Sequence, residues 1–155
     1  CAEPAPGERV WDLYAGIGET TELLLEQGAV VDSVEIDRRA VEQGLRRSRF
    51  GPPVGSQAPG GPVARHAGRV EDQAGRLPRP AVVVTNPPRV GMEPAAVAAI
   101  AAARPRRIVY VSCDPATLAR DVARLGTGYR VRSIRAFDLF PQTAHVETVL
   151  VLEAA

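Results

Sequence analysis

Residues 108–121 read Ile-Val-Tyr-Val-Ser-Cys-Asp-Pro-Ala-Thr-Leu-Ala-Arg-Asp, and this stretch predicts a buried strand that passes directly into a helix. Its first four residues are β-branched or aromatic, as is typical of a strand covered on both faces of a parallel sheet. Asp114 suits a helix N-cap, and Pro115 suits the first helical position, where a missing N–H costs nothing. Cys113 therefore lies where α/β sheets bind ligands and where a helix N-terminus favours a thiolate. We interpret Cys113 as a candidate nucleophile, with a small buried apolar residue as the alternative.

The composition narrows the class of protein. The chain has 155 residues, 45% of them hydrophobic, which suffices for one domain with a core. Its net charge is +1 and its 19 basic residues are all arginine, so the sequence has neither a long basic run nor the lysine of a pyridoxal or Walker-type site. Two cysteines, Cys1 and Cys113, are too few for a zinc site, and we expect no metal.

The sequence also gives expectations about the location of the protein and about the boundaries of the domain. No apolar run approaches the roughly 20 residues that span a bilayer, so we expect a cytoplasmic protein without a membrane segment. The chain begins at Cys1 with a proline-rich lead. We expect one catalytic domain over residues 1–155 that is the C-terminal part of a longer chain.

Strand and helix patterns alternate along the sequence. We predict strands at 8–14, 30–36, 63–67, 81–85, 108–111, 129–137 and 146–152, helices at 20–27, 37–49, 93–103 and 115–125, and a flexible Gly- and Pro-rich loop at 50–62. The last two strands follow each other without a helix. This order predicts a doubly wound α/β sheet, mostly parallel, that is closed at its edge by an antiparallel C-terminal strand.

The first strand ends in a glycine turn, residues 12–18, Asp-Leu-Tyr-Ala-Gly-Ile-Gly, and the second strand ends near Glu35. Such glycines let the backbone approach a nucleotide-like ligand, and an acid in that place accepts hydrogen bonds from ribose hydroxyls. Thr21 stands where a dinucleotide site needs Gly or Ala, so the pattern fits S-adenosylmethionine better than NAD. An ordinary strand-to-helix turn is the alternative, because Gly-x-Gly alone is common.

Two further motifs follow later strands. Asn86-Pro87-Pro88-Arg89 fixes a rigid exit from the fourth strand, and its amide can grip a planar base edge. Enzymes that methylate exocyclic amines have a similar Asn-Pro-Pro, but an aromatic residue follows it there. A rigid loop without a binding role is the alternative. Glu147, next to apolar Val146, is a candidate general base, with a solvated edge-strand carboxylate as the alternative.

These motifs, in this order, resemble the catalytic domain of the RNA uracil-5-methyltransferases, which form 5-methyluridine in tRNA or rRNA. The most specific parts are residues 112–121 and the motif Phe140-Pro141-x-Thr-x-His145-Val146-Glu147. The resemblance implies a class I, Rossmann-like S-adenosylmethionine-dependent methyltransferase that acts on RNA, with Cys113 as nucleophile and Glu147 as base. The predicted cofactor-binding residues are those of the first turn and of the next strand ends: Asp12, Tyr14, Gly16, Gly18, Glu19, Glu35 and Asn86.

The sequence departs from the family pattern at three positions. Asn86 stands where the family usually has Asp, Glu19 replaces a more usual Asn, and Arg69 stands near the place of an adenine-facing acid. Two alternatives to uridine C5 methylation remain. One is methylation of an amine on a nucleobase or protein through Asn86-Pro87-Pro88, and the other is a cofactor-binding domain that is inactive without an upstream RNA-binding part.

Overall fold

The structure is a computed structural model that describes residues 1–50, 62–138 and 146–155. The strands are β1 (Arg9–Leu13), β2 (Val30–Glu35), β3 (Val63–Ala67), β4 (Val82–Thr85), β5 (Arg107–Ser112), β6 (Tyr129–Phe137) and β7 (Glu147–Ala154). The helices are α1 (Glu19–Glu26), α2 (Arg38–Arg47), α3 (Val70–Gln73), α4 (Pro94–Ala103) and α5 (Pro115–Leu125). All predicted strands and helices are present in their predicted order, whereas α3 was not predicted. The predicted loop at 50–62 lies mostly outside the described residues.

The strands form one sheet in the order β3-β2-β1-β4-β5-β7-β6. Strands β1 to β5 pair in parallel, and β7 runs antiparallel to both β5 and β6. The predicted mostly parallel sheet with an antiparallel C-terminal strand is therefore confirmed.

The predicted edge position of the last strand is wrong, because β7 lies between β5 and β6 and the edge strand is β6. After β5 and α5 the chain forms β6 one strand position away from β5, and β7 then fills the position between them. Three consecutive apolar residues of β7, 150–152, are buried there. An apolar run suits a strand that is paired on both sides, whereas the exposed, arginine-rich β6 suits an edge.

Each face of the sheet packs on its own hydrophobic cluster. On the face that we call the α4 face, Trp11, Leu13 and Tyr110 pack with buried residues of α3, α4 and α5. On the opposite face, the α1 face, alternate strand residues such as Val10 pack with Leu24 of α1. This alternation follows from the two-residue period of a strand. Among the described residues no helix is long and apolar enough to cross a membrane.

The junction between β5 and α5 forms as the sequence predicts. The Asp114 carboxylate accepts a hydrogen bond from the Thr117 N–H at 2.8 Å, which satisfies one donor of the first helical turn. This bond and the neighbouring Arg89 guanidinium lower the pKa of Asp114. Cys113 is consequently held one residue before a capped helix.

Candidate functional site

A cleft of about 440 Å³ opens at the carboxyl ends of β1 to β4. Parallel strands present these ends along one edge of the sheet, which is where ligands of α/β proteins bind. Three of the seven predicted cofactor residues line the cleft, namely Tyr14, Glu35 and Asn86. The other lining residues come from the ends of β2, β3 and β4: Ile36, Gly68, Arg69, Val70, Glu71, Pro88, Val90, Gly91 and Glu93.

Glu35 joins the first turn to the end of β2. Its Oε2 accepts a hydrogen bond from the Gly16 N–H at 2.8 Å, and its Oε1 accepts one from the Asp37 N–H at 2.8 Å. Gly16 has φ +57°, a conformation that glycine adopts without steric cost. Each carboxylate oxygen can accept a further hydrogen bond, so the group fits a ligand that carries vicinal hydroxyls, such as a ribose.

Tyr14 closes the turn on the side of the cleft. It has φ +61°, which is uncommon for a residue other than glycine and draws attention to functional positions. Burial, together with the carboxylates of Glu71, Asp121 and Glu93, raises the pKa of Tyr14 to about 12. Its hydroxyl therefore stays protonated at neutral pH and can donate a hydrogen bond to a ligand.

Asp12 lies beneath the turn. It is 3% exposed, and its Oδ2 accepts a hydrogen bond from the Thr21 hydroxyl at 2.5 Å. The guanidinium of Arg65 fills the space beside it, so close to Gly18 that a Cβ there would stand 2.0 Å from Arg65 Nη1. Burial raises the pKa of Asp12 to about 6, against the opposing effects of Thr21 and Arg65. The structure thus gives Asp12 contacts that support the turn, and its direct cofactor role stays a prediction.

The raised pKa of Asp12 predicts a pH-dependent stability. The contribution of a raised carboxyl pKa is fully present below pH 4 and is lost as the pH rises to about 6. Asparagine at position 12 stays neutral. The difference in unfolding free energy, Asp12→Asn minus wild type, is therefore expected to rise by about 2 kcal/mol from pH 4 to pH 7.

Urea unfolding at pH 4.0, 5.5 and 7.0 measures this difference. The exposed Glu26 at the end of α1 offers a control, because Glu26→Gln removes a carboxylate that is not buried. A difference for Asp12→Asn that does not change with pH would contradict the assignment.

The remaining two predicted cofactor residues lie close to the turn. Gly18 is the N-cap of α1, with φ +85°, and Glu19 is the first, exposed residue of that helix. Neither residue lines the cleft. Their roles in cofactor binding stay predictions.

Several cleft residues were not predicted from the sequence. Ile36 and Val90 are 61% and 74% exposed and present apolar surface to the cleft. Arg69, which departs from the family pattern, pairs through Nε with Glu71 Oε1 at 2.5 Å. Ile36 could have been predicted to line the cleft, because it directly follows Glu35. Val70 and Glu71 could not, because they belong to a helix too short to leave a periodic pattern.

The loop that follows β4 is fixed by Asp121, the last residue of the 108–121 stretch. Asp121 is fully buried, and its Oδ2 accepts hydrogen bonds from the Met92 N–H and the Tyr110 hydroxyl, each at 2.8 Å. Its Oδ1 accepts hydrogen bonds from Arg120, which also donates to the Val90 carbonyl at 2.7 Å. The helix that begins after Cys113 is therefore tied to one wall of the cleft.

Cys113 and Glu147 lie at the same end of two neighbouring strands. The ladder between β5 and β7 ends at the pair Ser112 and Thr148, and the next residue outward is Cys113 on one strand and Glu147 on the other. Both side chains are half-buried, and Cys113 is a free thiol. Neither residue lines the 440 Å³ cleft. Residues 139–145, which hold the first part of the Phe140-Pro141-x-Thr-x-His145 motif, lie outside the described residues.

The part of the chain that the structure describes has no group of three or more His, Cys, Asp or Glu side chains placed to hold a metal ion.

The strand order and the acid-closed glycine turn define the fold of the class I S-adenosylmethionine-dependent methyltransferases. Magnesium protoporphyrin IX methyltransferase from Synechocystis has this fold, with a TM-score of 0.69 over 97% of this chain at 14% identity. The chain belongs to the tRNA (uracil-5-)-methyltransferase family, whose model matches residues 72–155. The family predicted from the sequence is thereby confirmed.

Individual relatives agree with this assignment. The tRNA (uracil-54, C5)-methyltransferase of Pyrococcus abyssi, solved in complex with S-adenosyl-L-homocysteine, is 31% identical, with a TM-score of 0.80 over 97% of this chain and 36% of its own. An uncharacterized RNA methyltransferase of Nitratidesulfovibrio vulgaris is 41% identical over 94% of this chain and 31% of its own length. One from Corynebacterium efficiens is 41% identical over 92% and 32%. The chain thus spans about a third of the length of these relatives.

Proposed function

We propose that the protein methylates C5 of uridine in RNA, with S-adenosylmethionine as methyl donor. The observation that carries the proposal is the position of Cys113 and Glu147, which lie one residue beyond the same end of the β5–β7 ladder, at the edge of the sheet that holds the cleft. Family membership supports it, and so does the Pyrococcus relative that was solved in complex with S-adenosyl-L-homocysteine. A reducing cytoplasm, which keeps a catalytic thiol free, belongs to the proposal as the place of action.

The cofactor fits the cleft by its chemistry. Glu35 would accept hydrogen bonds from the ribose hydroxyls, since both its oxygens face donors at the turn and keep acceptor capacity. Ile36, which is 61% exposed, offers apolar surface for the adenine ring. Tyr14 and Asn86 would hold the amino acid portion through a protonated hydroxyl and an amide. When bound, the cofactor supplies a methyl group activated by its sulfonium.

The proposed roles of the two catalytic residues follow from uracil chemistry, because C5 is a weak nucleophile until C6 carries an additional bond. The Cys113 thiolate adds to C6, and the electron pair of the C5–C6 double bond moves toward C5 and O4. After C5 has taken the methyl group, the Glu147 carboxylate removes the C5 proton. That electron pair restores the double bond, the Sγ–C6 bond breaks, and the thiolate is regenerated.

A substrate uridine must leave its stack before both residues can reach the ring. Unpairing and unstacking a base in a helix costs a few kcal/mol, and most of this cost is absent for a nucleotide that is already unpaired in a loop. The proposal therefore favours uridines in loops over uridines within helices.

Release of the C5 hydrogen tests the reaction. With RNA that carries [5-³H]uridine, one tritium is expected in water for each methyl group transferred. Methylation of an amine would transfer methyl groups and retain the tritium. Cofactor binding without transfer to any RNA would instead indicate a binding domain.

The affinity for S-adenosylhomocysteine tests the cleft. Glu35→Ala removes the acceptor for the ribose and the contact to Gly16, so the dissociation constant is expected to rise by about 10- to 100-fold, the equivalent of hydrogen bonds to one charged group. Isothermal titration calorimetry measures it, with Glu26→Ala as the control on an exposed carboxylate. Equal affinities for wild type and Glu35→Ala would refute the ribose assignment.

A further inference from the structure

Edge strand β6 presents three arginines on one face of the sheet. Arg130 pairs with Glu153 of β7, and Arg135 pairs with Val149, so both arginines share the face of those partners. Val149 packs with the hydrophobic cluster of the α1 face. Arg132 lies in the irregular step of the ladder, with its Nε 4.0 Å from Glu153 Oε1, which places it on the same side.

These side chains keep most of their charge available. The Glu153 carboxylate is bonded to Arg107 at 2.8 Å, whereas Arg130 and Arg132 approach it only to 3.8 and 4.0 Å. Arg130 and Arg132 are 71% and 68% exposed. Arg135 is exposed and has no ion-pair partner within residues 1–50, 62–138 and 146–155. The surface is thus clearly positive although the whole chain carries a net charge of only +1.

The three arginine positions follow one another along β6 toward the end of the sheet where Cys113 and Glu147 lie. A strand rises about 3.3 Å per residue, so Arg130 and Arg135 stand about 15 Å apart. Two residues farther, Phe137 pairs with Glu147, the proposed base. Phe137 is 42% exposed and shares the face of the arginines, because residues two apart in a strand point to the same side.

We propose that Arg130, Arg132 and Arg135, the β6 arginine row, bind successive phosphates of the RNA strand whose uridine enters between Cys113 and Glu147. This inference rests on the proposed function. Guanidinium groups bind phosphate oxygens in bidentate fashion, and a separation of about 15 Å matches two to three nucleotides of an extended strand. Phe137, at the end of the row, offers a ring on which a neighbouring base can stack.

The salt dependence of RNA binding tests the row. Each phosphate contact to single-stranded RNA contributes about 0.7 to the slope of log Kd against log salt concentration. The triple variant Arg130→Gln/Arg132→Gln/Arg135→Gln is therefore expected to lower that slope by about 2 and to weaken binding about 100-fold at 0.1 M KCl. Arg135→Gln alone is expected to lower the slope by about 0.7.

The control removes three exposed arginines from α2, in Arg38→Gln/Arg39→Gln/Arg46→Gln, which has the same net charge as the test variant. Fluorescence anisotropy with an unmodified tRNA transcript gives both slopes, and calorimetry with S-adenosylhomocysteine shows that each variant is folded. An equal loss of slope in the two triple variants would overturn the proposal, since only net charge would then matter.

Trapping on RNA that contains 5-fluorouridine separates this inference from the proposed function. If the wild type forms the covalent adduct and the row variant forms it equally well at every salt concentration, the row is refuted while the function stands. If the triple variant binds RNA more weakly but the wild type forms no adduct, the function is refuted while the binding surface stands.

Discussion

Alanine in place of Cys113 is expected to abolish methyl transfer to RNA, with a loss of about 10⁴-fold or more, as for removal of other covalent nucleophiles. Without addition of a thiolate at C6, the C5 carbon has no electron pair to attack the methyl group. The side chain is half-buried at the end of β5 and packs in neither core cluster. The loss should therefore come from the chemistry, with the affinity for S-adenosylhomocysteine unchanged.

Cys1 provides a matched control, because it is the other cysteine of the chain and is exposed. Cys1→Ala should retain full activity. RNA with 5-fluorouridine makes the assignment direct: after methyl transfer the C5 position carries fluorine, which a base cannot remove, and the Sγ–C6 bond persists. A band of enzyme linked to RNA on a denaturing gel is expected for wild type and Cys1→Ala. The same band from Cys113→Ala would show that another group attacks C6.

Glutamine in place of Glu147 is expected to lower turnover by about 10²- to 10⁴-fold, the usual contribution of a general base. The effect should differ in kind from that of Cys113→Ala. Addition to C6 and methyl transfer do not need the carboxylate, whereas removal of the C5 proton does. The variant should therefore accumulate a methylated covalent adduct with ordinary uridine RNA, which wild type releases.

Mass spectrometry of the linked species measures this outcome, since the trapped nucleotide should carry the mass of one additional methyl group. Glu42→Gln, an exposed carboxylate on α2, is the control and should turn over normally. If Glu147→Gln releases 5-methyluridine at the wild-type rate, another residue is the base.

Local sequence patterns predicted some of the contacts around the cleft and missed others. Glu35 and the glycine turn were predicted to act together because parallel neighbours end at one edge of a sheet, and the bond between Glu35 and Gly16 follows from that rule. Asp121 was not predicted to have a role. Its partner Met92 lies in the loop that follows β4, 29 residues away in the chain, and its partner Tyr110 lies on β5, 11 residues away. Neither contact follows from the spacing of residues within a strand or a helix. Helix α3 was missed because four residues are too few for a helical period.

The sequence by itself determined the order and type of the elements other than α3, the cap at Asp114 and the glycine turn, because each depends on residues close together in the chain. It also determined the family, because each family motif is itself a short local stretch. Only the tertiary structure decided that β7 lies between β5 and β6. Strand order depends on which buried surfaces fit together after the helices have packed, and local patterns do not contain that information. The insertion of β7 makes Glu147 the neighbour of Cys113 on one side and of Phe137 on the other, and so assembles the proposed catalytic pair.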